Sequence, residues 1–110
     1  MTVFAKIIEG QLPSTKHYEN DHLVVIEDIH KLAPVHLLII PKKAYKGLQD
    51  VPEKDLGILK EIGRAAQLMA EKFELEDGYR LLTNNGEEAG QTIFHMHFHL
   101  LGGRRLMTLG

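Results

Sequence analysis

Three histidines alternate with apolar residues near the carboxy end of the chain: His95, His97 and His99 in "HMHFHLLGG", residues 95–103. Imidazole titrates near neutral pH, ligates metals and attacks electrophiles, so what the row does depends on its geometry. On a β-strand, positions i, i+2 and i+4 share a face, with successive side chains about 6.5–7 Å apart. The three rings then form a row with Ile93 and point outward. Phe94, Met96, Phe98 and Leu100 turn to the opposite side, the expected core side. Three chemistries are open at this point. The row is a histidine-rich polar face, a metal site or a nucleophile for phosphorus. A straight strand spreads the rings widely for one ion, and no carboxylate stands within the motif. A neutral imidazole, by contrast, forms and breaks a covalent bond to phosphorus readily near pH 7.

That third chemistry needs companions: donors for the phosphoryl oxygens, a group to orient the nucleophile and a pocket for the carrier. The loop "NNGEEAGQT" (84–92) puts Gly90, Gln91 and Thr92 just ahead of the histidines, where backbone N–H groups can face an anion. A plain hairpin connection reads equally well there. Asp28 ends an apolar run and is either a turn acid or a carboxylate that takes both hydroxyls of a ribose. His36 heads the next apolar run. His17, His22 and His30 have no patterned context and are expected at the surface.

The elements that must position these groups follow from periodicity. "VFAKII" (3–8) reads as a short helix with Phe4, Ile7 and Ile8 turned inward, and Pro13-Ser14 as a turn. "HLVVIEDI" (22–29) is β-branched and reads as a strand ending at Asp28. After a break at Pro34, "HLLIIP" (36–41) is apolar on both faces, as expected for a covered strand. Leu56, Leu59, Ile62, Ala66, Met69 and Phe73 then recur every three or four residues, which predicts a long helix. Asp50, Pro52 and Glu53 are its expected N-terminal signals. Gly63 beside the apolar stripe predicts a close approach of another element. "YRLLTN" (79–84) is a third strand after the Asp77-Gly78 turn, and "IFHMHFHLL" (93–101) is the fourth clear one, stopped by Gly102-Gly103. One helix among antiparallel-compatible strands predicts an α+β domain whose central sheet is covered on part of one face.

The totals bound the function. The chain has 110 residues, enough for one domain (1–110), with 44% apolar and 25% charged residues. A net charge of −2 gives no electrostatic case for nucleic-acid binding. There is no cysteine, which excludes disulfides, zinc-cysteine sites and thiol catalysis and fits a reducing, cytoplasmic setting. "VHLLIIP" is far too short to span a bilayer, and "MTVFAKIIEG" lacks the apolar core of a secretory signal.

The chain resembles the histidine triad family, whose signature is His-x-His-x-His followed by apolar residues. "FAKIIEGQLPS", "EDIHKLAPVHLLIIPKK", "DGYRLLTNNG" and "AGQTIFHMHFHLLGGR" extend the resemblance to the Hint branch, the nucleoside phosphoramidate hydrolases. It implies an antiparallel sheet of about five strands with one long and one short helix. It also implies hydrolysis of the P–N bond of purine nucleoside 5′-phosphoramidates without a metal or other cofactor. His97 is then the nucleophile, His95 and His99 flank the phosphate, and His36 supports the cluster from the neighbouring strand. Asn84, Gln91 and Thr92 fall at phosphate or leaving-group positions, and Asp28 at the ribose-binding one. Phe4, Ile7, Ile26 and Ile29 line the base pocket. Thr92 stands where many relatives have serine, and its extra methyl narrows the leaving-group side. The resemblance also implies a homodimer. Two other functions fit the same residues: dinucleoside polyphosphate hydrolysis of the Fhit type, and a nucleotide-binding regulatory protein with incidental activity.

Overall fold

The computed structural model describes residues 1–109; Gly110, the last residue of the expected domain, lies outside them. A short helix, α1 (Val3–Ile8), is followed by three strands, β1 (Lys16–Glu19), β2 (Leu23–Glu27) and β3 (Val35–Pro41). The long helix α2 (Ile58–Lys72) comes next, then β4 (Tyr79–Leu82) and β5 (Phe98–Gly102). The strands form one antiparallel sheet in the order β1-β2-β3-β5-β4.

Strands β2 and β3 are central and nearly continuous in apolar residues because both of their faces are covered. On one face, Leu23, Val25, Leu37, Ile39, Met96 and Leu100 meet Ile62, Ala65, Ala66 and Met69 of α2. On the other, Val24, Ile26, Leu38 and Ile40 meet Phe4 and Ile7 of α1. The expectation of one partly covered face is therefore corrected: the first helix closes the second face. Six residues make a marginal helix in isolation, so α1 depends on that packing and on Thr2, whose hydroxyl accepts the Ala5 N–H at 3.1 Å.

Strand β1 was not among the four clear strands of the sequence. Its pairing with β2 shifts register between Lys16 and Tyr18, a bulge that interrupts the period-two alternation. His17 sits at that irregularity and is half-buried, against the expectation of a surface residue. Its ring stands edge-on to Phe73 at 5.1 Å, with Nε2 3.5 Å from Glu27. His22 and His30 are exposed as expected.

The start of α2 also differs. Residues 48–55 form two 3-10 turns, Leu48–Asp50 and Glu53–Asp55, and the helix begins at Ile58 with Gly57 as an N-cap that offers no side chain. Asp50 instead accepts the Gly47 N–H at 3.0 Å, so the signals read at 50–53 belong to the connection. Gly63 has open space where a side chain would stand, and no close approach among the described residues explains it.

The last strand is shorter than the alternation predicts. β5 begins at Phe98, and residues 93–97 lie outside every ladder. Phe94, expected on the core side, is 44% exposed as a result, whereas Met96 and Leu100 do reach the core.

Candidate active site

The departure of residues 93–97 from the sheet is what builds the site. The Met96 N–H donates to the Tyr45 carbonyl at 2.6 Å, taking the place of a strand partner. Gln91 staples the preceding loop. Its amide nitrogen donates to the carbonyls of Lys46 at 2.6 Å and Ile93 at 3.0 Å, and its oxygen accepts the Gly86 N–H at 2.8 Å. Asn85 accepts the Leu48 N–H at 2.7 Å. Gly47 is where these chains cross, since a Cβ there would stand 3.2 Å from the Asn85 amide oxygen.

The histidines do not form a straight outward row. They occupy the α1 side of the sheet, yet His95 and His36 are fully enclosed and His97 is 9% exposed. The rings of His97 and His99 stand 5.1 Å apart, inside the roughly 6.5–7 Å repeat of a regular strand. Phe4 of α1 packs edge-on to His97 at 4.8 Å.

Hydrogen bonds assign the tautomers. His97 Nδ1 lies 2.8 Å from the His95 carbonyl, which only accepts, so the proton is on Nδ1 and the Nε2 lone pair is free. Among the described residues Nε2 has no partner, and it is not sealed from the cavity. His36 Nδ1 accepts the Leu32 N–H at 3.1 Å, which puts its proton on Nε2. That proton is shared between His99 Nδ1 at 2.9 Å and the Asp28 carboxylate at 3.3 Å. Neutral His99 consequently carries its own proton on Nε2. His95 donates from Nε2 to the Pro41 carbonyl at 2.7 Å.

Burial pushes all four imidazoles below the ordinary histidine range. In His99 the neighbouring His97 and His36 add to burial and bring the value to about 4. The Asp28 carboxylate works in the opposite direction on His36, His97 and His99. The cluster is thus neutral near pH 7, which keeps a nucleophilic nitrogen unprotonated.

A cavity of about 750 Å³ opens in front of His97 and His99, a size suited to a nucleotide. Phe4, Ile7, Ile26, Ile29, Asp28 and Thr92 all line it. Ile29 stands on the rim, 88% exposed. His36 and His95 stand outside the lining, bonded to the site from behind. Asn84, Gly90 and Gln91 are not on the cavity walls, and the amide of Gln91 is spent on backbone groups of its own loop and of Lys46. Wall residues not singled out in the sequence include Leu12, Thr15, Lys31 and Leu38. Leu38 carried a signal, since it alternates with His36 and Ile40 on one strand face.

Asp28, His36 and His99 also offer three ligand atoms within 4.8 Å of one another. Ligand atoms on one tetrahedral zinc, bonded at roughly 2.0–2.1 Å, stand about 3.3 Å apart. The 2.9 Å between His36 Nε2 and His99 Nδ1 is shorter and holds a proton, so this arrangement fits a hydrogen-bond chain better than an ion.

The HIT domain family model matches residues 9–106. The chain belongs to the HIT family. A HIT-like protein of Chlamydia muridarum is 51% identical over 108 residues, covering 98% of this chain and 86% of the relative. A 14 kDa zinc-binding protein of Zea mays is 41% identical over 107 residues, 96% of this chain and 84% of the relative. Among solved structures, a HIT family hydrolase from Clostridium thermocellum superposes with a TM-score of 0.94 at 46% identity, covering 98% of this chain and 95% of the other. A histidine triad protein from Clostridium difficile gives a TM-score of 0.94 at 35% identity, with 99% and 96% covered. These likenesses extend over the sheet, both helices and the histidine cluster of this HIT protein, and they support a hydrolase-like protein. No helix among the described residues is long and apolar enough to cross a membrane.

Proposed function

We propose that this HIT protein hydrolyses purine nucleoside 5′-phosphoramidates through a covalent nucleotidyl-His97 intermediate. The observation that carries this reading is the pinned tautomer of His97, whose Nδ1–H is held by the His95 carbonyl while Nε2 remains free beside the cavity. Phe4, Ile7, Ile26 and Leu38 offer the apolar walls that a purine needs, and Asp28 lies on the same cavity for the ribose hydroxyls.

The reaction has two displacements at phosphorus. In the first, the Nε2 lone pair of His97 forms a P–N bond as the bond to the substrate amine breaks. The positive charge that develops on the ring is delocalised to Nδ1–H and met by the His95 carbonyl. The Nε2–H of neutral His99 faces the cavity as a donor for a phosphoryl oxygen. The departing nitrogen must leave protonated, and the Thr92 hydroxyl on the cavity wall passes it a solvent proton. In the second displacement, water attacks phosphorus, the P–Nε2 bond breaks, and nucleoside monophosphate leaves as a proton returns to solvent. No step requires a metal.

The test is initial-rate hydrolysis of adenosine 5′-phosphoramidate beside a diadenosine polyphosphate, with chelator present. The wild type should cleave the P–N substrate, and His97→Ala should lose at least about 10³-fold in kcat. Faster cleavage of the polyphosphate would move the protein to the other hydrolase class. Tight mononucleotide binding with no turnover of either would make it a binding protein.

The same reading includes a homodimer. β4 ends the sheet order with no strand on its outer edge among the described residues and carries exposed Tyr79 and Leu81, a surface on which a second copy can continue the sheet.

A further inference from the structure

The ladder between β4 and β5 stops at the pair Leu82 and His99, two residues short of the nucleophile. Beyond that point no backbone partner on β4 holds His97. A side chain does so instead: the Thr83 hydroxyl donates to the His97 carbonyl at 2.8 Å. We propose that Thr83 is a positioning residue for the nucleophile, holding the backbone of His97 where the sheet no longer does.

Three bonds fix this stretch, and they act in different directions. The Tyr45 carbonyl accepts the Met96 N–H, the His95 carbonyl accepts His97 Nδ1–H, and the His97 carbonyl accepts the Thr83 hydroxyl. Neither of the first two touches the peptide between His97 and Phe98; its Phe98 end stands opposite Ile39 of β3, and its carbonyl, on the β4 side, is left to Thr83. The Thr83 hydroxyl restrains that peptide and thereby the direction in which the His97 ring projects. In-line attack on phosphorus is sensitive to placement, and an error of about 1 Å in a reacting atom costs on the order of 10²-fold in rate. Thr83 does not line the cavity, so its effect belongs to the chemical step and not to nucleotide binding.

This inference rests on His97 as the nucleophile, and its test separates the two. Thr83→Val keeps the branched shape and removes the donor; Thr83→Ser keeps the donor and removes the methyl. Each is assayed for kcat, KM and melting temperature beside the wild type and His97→Ala. The expected result is a fall in kcat of about 10-fold or more for Thr83→Val, with KM within about twofold. Thr83→Ser should recover most of that loss, even where its melting temperature is the lower of the two. A purely structural role predicts the reverse order, with Thr83→Ser as impaired as Thr83→Val or rates that follow melting temperature, and would overturn the proposal. Wild-type kcat in Thr83→Val would overturn it as well, while leaving the His97 reading intact if His97→Ala is inactive. Turnover that survives His97→Ala would remove both.

Discussion

At the scale of single residues, Asp28 has two duties that compete for one carboxylate. One oxygen accepts the His30 N–H at 2.8 Å, and the other lies 3.3 Å from His36 Nε2. Under the proposed function, ribose hydroxyls use the remaining lone pairs, which puts sugar recognition and the histidine chain on the same group. Replacing it by asparagine removes the charge and keeps the shape. Asp28→Asn should lower kcat/KM for a nucleoside phosphoramidate by about 10- to 100-fold, matching the roughly 1.5–3 kcal/mol of a hydrogen bond to a charged group. Comparison with the 2′,3′-dideoxy substrate checks the cause: the variant should lose most of the wild type's preference for the ribonucleotide. An unchanged preference would detach Asp28 from the sugar. The residue types of this site were legible in the sequence because the chemistry is local to them. Asp28, His97, His99 and the apolar residues Phe4, Ile7, Ile26 and Ile29 share one cavity, while His95 stands behind it. What the sequence did not carry was the tautomer logic, since the partners of His97 and His36 are carbonyl and amide groups that leave no mark on residue type.

At the scale of elements, the chain from His36 to His99 ties β3 to β5 across the covered face of the sheet. Its members are neutral in the fold and protonate readily once released. Burial holds the pKa values of His36, His95, His97 and His99 below that of free imidazole, near 6.5. Between the folded and unfolded values, the unfolded chain therefore binds more protons. Stability should be level above about pH 6.5 and fall as the pH drops below it, each such histidine adding up to about 1.4 kcal/mol per pH unit. Urea unfolding at intervals from pH 8 to pH 5 measures this directly. Replacing His36 by Gln, which retains a donor but does not titrate, should make the acid limb shallower; an equally steep limb would assign the loss elsewhere. Element boundaries were also where the sequence was least informative. The stripe from Leu56 to Phe73 announced α2, but Tyr45 and Lys46 compete for the segment before β5 through tertiary bonds, and a bulge hid β1. Period alone registers neither effect.

At the scale of the whole molecule, the sheet has two edges of different character. On β1, the charges of Lys16 and Glu19 flank the strand and pair with each other at 3.1 Å, a feature that discourages further pairing. β4 presents exposed Tyr79 and Leu81, and its one charged residue, Arg80, is engaged by the Met107 carbonyl at 2.8 Å. A second copy added there should give a dimer mass by light scattering at micromolar concentration. Leu81→Asp, at an already exposed position, should shift that mass to the monomer without loss of secondary structure. A monomeric wild type would sink the proposed assembly.

The cavity has one wall from the first residues of the chain and another from nearly the last: Phe4 lies against His97. Contacts between such distant points close late, because the long intervening loop loses its freedom only when the sheet is assembled. Under the proposed function, nucleotide binding at this cavity is therefore a reporter of completed folding. A refolding chain can bury α2 against the sheet and regain its helical signal while the mouth of the cavity is still unformed. Binding of a fluorescent nucleotide would then trail the recovery of circular dichroism, and an additional segment fused ahead of α1 would lie beside the site it delays.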